Sequence, residues 1–193
     1  DVDFDGEYVT ELATGKQISR SQIGNNVMCF SNAPLSASEA FSSPVSPPPF
    51  MVGMAEVEID KETGVLELID YVAVVDCGTV INPNLARVQV EGGIAQGIGM
   101  ALYEDVVYNE KGKNFSNSLM QYKIPTRLDV GTIRVEFESS YEPTGPFGAK
   151  SIGEIVINTP SPAISNAIQN ATGVIIRELP MTAEKIYRGI SGR

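Results

Sequence analysis

The chain has 193 residues, 42% of them apolar and 20% charged, a balance that suits a globular protein with one substantial core and room for at most two domains. Its formal net charge of −10 argues against nucleic acid and against an anionic membrane surface as partners. With no histidine and only Cys29 and Cys77, it cannot build imidazole-based hydrolase triads, most zinc sites or a disulfide framework, so proton chemistry falls to Asp, Glu, Lys, Tyr or Cys.

Residues 1–48 are polar and weakly periodic, and they close on Ser43-Pro44-Val45-Ser46-Pro47-Pro48-Pro49. Prolines at that density favour extended backbone, so this stretch is expected to be an extended N-terminal arm, with the folded region at 49–193. Asp1-Val2-Asp3-Phe4-Asp5-Gly6 has the look of a calcium loop, but Leu12 stands where a bidentate Glu belongs, and a solvated acidic stretch is the better reading.

From Met51 to Asp60 and from Val65 to Val75 the chain is rich in Val, Ile and Leu. Lys61-Glu62-Thr63-Gly64 between them supplies a positive-φ residue, which predicts a β-hairpin. After Asp76-Cys77-Gly78 and the turn Ile81-Asn82-Pro83-Asn84, a helix is expected from about Leu85 to Glu104, with Val88, Ala95, Ile98 and Leu102 on one stripe. Gly92, Gly93, Gly97 and Gly99 interrupt it at a cost of roughly 1 kcal/mol each. Either very close packing or access for a ligand must compensate.

Further strands are expected at Asp105–Tyr108, Leu119–Lys123, Thr132–Ser139 and Val174–Glu178. A helix capped by Ser161 with Pro162 at its first position runs to Gly173, and another spans Thr182–Ile190. Hairpins and helices without strict βαβ alternation make the fold class α+β. The loop Thr144–Glu154 holds three glycines in its last ten residues and ends in a carboxylate just before Ile155-Val156-Ile157. A carboxylate at the edge of an apolar run is partly desolvated and suited to base work. The same spacing also allows Glu154 to pair with Lys150 and simply hold the turn.

Several segments together resemble one family. Asp76-Cys77-Gly78, Ile81-Asn82-Pro83 and Gln89–Gly99 are similar to the DxG…INP…GQxxGGxxQGxG run of the molybdenum hydroxylases. Tyr122-Lys123-Ile124-Pro125-Thr126 resembles their YxIPT segment, and Gly148–Glu154 their GAKGVGE loop. Pro47–Phe50 leading to Ala55–Asp60 resembles the stretch upstream. The likeness covers about residues 45–190 and points to the C-terminal part of the molybdenum-binding subunit of a xanthine dehydrogenase or aldehyde oxidase type of enzyme.

The resemblance implies a molybdopterin cofactor, in its cytosine dinucleotide form, whose dithiolene and not the protein holds the molybdenum. It implies Glu154 as the general base of a hydroxylation that places water-derived oxygen into a C–H bond of an N-heterocycle or aldehyde. Gln89 is then expected to hydrogen-bond the cofactor near the metal, and backbone groups of Lys150, Ser151, Ile152 and Gly153 to contact it. Ser151 and Val88 depart from the family pattern, each replacing a glycine. The implied partners are the remainder of the molybdenum-binding subunit, iron–sulfur and FAD domains or subunits, and a small-molecule substrate. A start at Asp1 without methionine suits a piece of something longer, expected to be inactive alone. No stretch reaches the roughly 18 apolar residues that span a bilayer, and a cytoplasmic location is expected. A non-catalytic assembly module of the same fold is the alternative, against which the retained Gln89 and Glu154 speak.

Overall fold

A computed structural model describes residues 1–30 and 36–192, which fall into two compact units, Asp1–Ser42 and Ser43–Arg193. Residues 31–35, part of the expected arm, lie outside the described residues.

The first unit corrects the expectation of an extended arm. β1 (Val2–Phe4), β2 (Tyr8–Glu11) and β3 (Gln17–Ser19) form an antiparallel meander, followed by α1 (Arg20–Phe30). The acidic opening forms β1 and the turn after it, where the Asp5 carboxylate accepts the N–H groups of Glu7 at 2.8 Å and Tyr8 at 2.7 Å. α1 starts on a reciprocal cap, in which the Ser19 hydroxyl accepts the Gln22 N–H at 3.2 Å and the Gln22 side-chain Oε1 accepts the Ser19 N–H at 3.1 Å. No described residue of this unit is buried.

In the second unit β4 (Phe50–Ile59) and β5 (Leu66–Asp76) make the expected hairpin, with Gly64 at φ 76° closing the turn. β4 alternates strictly between exposed and part-buried positions. β5 does not, because a bulge opposite Glu56/Val57 inserts Ile69 as an extra residue, so burial steps from Leu68 to Tyr71 and then to Ala73 and Val75. β6 (Thr132–Phe137) adds parallel to β5, and the parallel pairing requires a crossover, which α2 (Pro83–Leu102) supplies.

α2 begins on Asn82, whose side chain accepts the Leu85 N–H, with Pro83 at the first position. α3 (Ile155–Asn158) is a single turn, and α4 (Pro160–Thr172) and α5 (Ala183–Ser191) follow. The core joins Tyr71, Ala73 and Val75 of β5 to Val90, Ile94 and Ile98 of α2, and extends to Val156, Ile164, Ile168 and Ile186 of the later helices. α+β is the class observed.

Three expected strands are absent. Asp105–Tyr108 contributes only an isolated bridge from Tyr108 to Asn114, since the Asn109 side chain takes the Lys111 and Lys113 N–H groups and bends the chain back. Leu119–Lys123 forms turns on the Ser118 carbonyl, and Leu119 and Met120 stay exposed. Val174–Glu178 runs as irregular chain, with Val174 packed on Gly189. α4 begins one residue before the expected cap. Thr159 precedes it without capping, because its hydroxyl accepts the Tyr71 phenol at 2.8 Å.

Candidate functional site

Gln89, Gly92, Gly93 and Gln96 recur on one face of α2 at helical spacing and form one side of an open cavity of about 430 Å³. Gly153, Glu154 and Ile157 close its other side. Glu154 and Gln89 therefore open on the same space. Both are exposed on this chain, so the desolvation expected of Glu154 does not arise from the residues described. Its carboxylate has no hydrogen-bond or ion-pair partner among the described residues.

Lys150 does not pair with Glu154. Its ammonium lies 2.6 Å from the Asp76 carboxylate at the end of β5 and 5.2 Å from the centre of the Phe50 ring. The Ser140 hydroxyl donates to the same carboxylate at 2.6 Å and the Gly78 N–H at 3.0 Å. The Lys150 ammonium, followed by the Ser140 hydroxyl, holds the Asp76 carboxyl down at about 2. Burial pushes the neighbouring Cys77 thiol up.

Along the loop the Lys150 N–H is spent on the Cys77 carbonyl at 2.7 Å, whereas the N–H groups of Ser151, Ile152 and Gly153 make no hydrogen bond among the described residues. Three consecutive unbonded donors, of which Gly153 lines this cavity, suit anionic or carbonyl oxygens. A second cavity of about 300 Å³ adjoins on the other side of Gln89, lined by Cys77, Val80, Ile81, Leu85, Lys150 and Ile152 among others.

The glycines of α2 divide between the two explanations open at the sequence level. A Cβ on Gly93 would overlap the Val156 side chain, one on Gly97 would press on Pro160, and one on Gly99 would meet Glu104 and Pro125. Those three exist for packing. A Cβ on Gly92 would meet nothing within 4 Å, and Gly92 lies on the cavity. Sequence reasoning missed Gln96 and Asp76; both stood inside quoted motifs, and only the spacing of seven from Gln89 hinted at Gln96. Among the described residues no group of three or more His, Cys, Asp or Glu side chains is placed to hold a metal ion.

A family model of the molybdopterin cofactor-binding domain matches residues 1–131, and the chain belongs to that family. The match takes in the first unit, which the motif resemblance had not reached. The chain is 35% identical over 154 residues to the xanthine dehydrogenase molybdenum-binding subunit of Escherichia coli O157:H7, covering 79% of this chain and 20% of that protein. Against the aldehyde oxidoreductase of Megalodesulfovibrio gigas it is 36% identical over 141 residues, 72% of this chain and 15% of the other. The crystal structure of quinoline 2-oxidoreductase from Pseudomonas putida 86 superposes with a TM-score of 0.83 and 30% identity, covering 100% of this chain and 26% of that one. The chain thus spans about a quarter or less of the length of these relatives.

Proposed function

We propose that this chain forms one wall of the site of a molybdopterin-dependent hydroxylase and carries its general base, Glu154. The observation that carries the reading is the single cavity onto which Glu154, Gln89 and Gln96 open, in a chain of the molybdopterin cofactor-binding family. The residues present fit such a cofactor: Gly92 leaves the floor of the cavity clear, and the free N–H groups of Ser151, Ile152 and Gly153 are donors for its polar edge. Gln89 donates from the opposite wall, and the carbonyl of Lys150 remains as an acceptor.

The cofactor, in the cytosine dinucleotide form, supplies its own ligands to the metal and the two-electron chemistry that replaces a C–H hydrogen by water-derived oxygen. Glu154 accepts a proton at its carboxylate, a service worth about a hundred- to ten-thousandfold in rate when the base is well placed. The two glutamine amides and the loop N–H groups orient what is bound, and the covering part of the enzyme excludes water. Substrates are N-heterocycles or aldehydes, in keeping with the names of the relatives. The partners are the rest of the molybdenum-binding subunit together with iron–sulfur and FAD domains or subunits, and the site of action is the cytoplasm. No helix among the described residues is long and apolar enough to cross a membrane.

In the cofactor-loaded enzyme, Glu154→Gln should lower kcat by at least a hundredfold with xanthine, quinoline or benzaldehyde as trial substrate, while molybdenum and pterin content hold. Undiminished turnover in that variant would show that the base lies elsewhere.

A further inference from the structure

We infer that Asp76 is a positioning residue for Glu154, acting through Lys150, which it fastens to the end of β5 so that the loop carrying Glu154 leaves from a fixed point. The inference rests on the reading of Glu154 as the base. The Asp76 carboxylate gathers the Lys150 ammonium at 2.6 Å, the Ser140 hydroxyl at 2.6 Å and the Gly78 N–H at 3.0 Å. The Lys150 side chain is only 7% exposed, so its charge has little water to turn to if Asp76 is lost. Two backbone bonds tie the same segments, Lys150 N–H to the Cys77 carbonyl at 2.7 Å and Thr79 N–H to the Gly148 carbonyl at 2.8 Å.

Downstream, Val156 is buried against Gly93 of α2 and forms a second anchor. Between the two anchors Ser151, Ile152 and Gly153 make no backbone N–H bond of their own among the described residues, and Ile152 alone of the three packs against the core. Glu154 therefore takes its position from the clamp four residues before it, from the packed side chains of Ile152 and Ile155 on either side, and from the seat two residues after it. A catalytic group displaced by about 1 Å costs about a hundredfold in rate. Losing the upstream anchor should be felt in kcat before it is felt in binding.

The test compares Asp76→Asn with the double variant Asp76→Asn/Lys150→Met in the holoenzyme, and follows amide hydrogen exchange in the cofactor-free form alongside. Asp76→Asn should raise exchange of the two hydrogen-bonded amides of the clamp, Lys150 and Thr79, about tenfold relative to the peptides of β4 and β5. It should lower kcat about ten- to a hundredfold, with KM for quinoline or benzaldehyde and molybdenum content little changed. The double variant removes the stranded charge and should recover thermal stability without recovering kcat. It also keeps the test open should the single variant fold poorly. If kcat returns with stability, the pair is structural and the inference falls. It falls equally if exchange and kcat are unchanged in Asp76→Asn, whatever Glu154 does. Retained turnover in Glu154→Gln beside raised exchange in Asp76→Asn would instead overturn the base and leave the clamp.

Discussion

Gly92 and Gly93 are neighbours in sequence with opposite duties. Replacing Gly93 by Ala drives a methyl into Val156, where neither helix has room to give, and should cost about 2 kcal/mol of stability. Replacing Gly92 by Ala meets nothing within 4 Å and should stabilise α2 by up to about 1 kcal/mol through helix propensity. The same methyl intrudes on the cavity, so cofactor content after reconstitution should fall in that variant. Denaturant unfolding of the two variants, with molybdenum analysis of the loaded forms, separates packing from access. An equal loss of stability in both would contradict the assignment.

Asp76 also gives the molecule a defined acid limb. Its carboxyl sits at about 2 when folded against 3.8 for the unperturbed group, so its contribution is fully present above about pH 4 and is lost as pH falls toward 2. Unfolding free energy measured from pH 5 to 2 should therefore drop more steeply for the native sequence than for Asp76→Asn. A slope identical in the two proteins would mean that the pair does not form.

At the scale of elements, α2 is held at its entrance by Asn82, which satisfies the Leu85 N–H. Asn82→Ala should lose about 1 kcal/mol, read as a lower thermal midpoint with the site residues otherwise in place. The elements that the sequence announced share a property: each carries its own turn or cap. The β4–β5 hairpin has Lys61–Gly64, α2 has Asn82-Pro83, and α4 has Gly173 in the left-handed conformation at its end. The strands expected at 105–108, 119–123 and 174–178 had suitable residues but no neighbour to pair with, and a strand has no stability apart from its partner. Their backbone groups went to Asx turns and local bonds instead.

At the scale of the whole molecule, every core residue among those described lies in the second unit, from Leu68 to Ile186. The first unit has a sheet and a helix but nothing buried among the described residues, while Met28 and Phe30 stand 85% and 86% exposed. Such a meander is marginal in water by itself. An excised peptide of residues 1–42 should show no cooperative thermal transition by circular dichroism, whereas residues 43–193 should retain one. A cooperative transition in the short peptide would refute this division of stability.

The sequence by itself determined the α+β class, the hairpin, the helices with their own punctuation, and the family, because each rests on local backbone preferences or on motifs read in order. It also marked Glu154 and Gln89, 65 positions apart, as members of one site through their motifs. Tertiary structure decided what sequence spacing left open: that Lys150 reaches back to Asp76 rather than forward to Glu154, and that three of four helix glycines serve packing. It also brought Gln96 onto the cavity. Those outcomes depend on which surfaces meet when β5, α2 and the 148–154 loop come together. Contact between residues distant in the chain is set by the packing of the core, to which local sequence is blind.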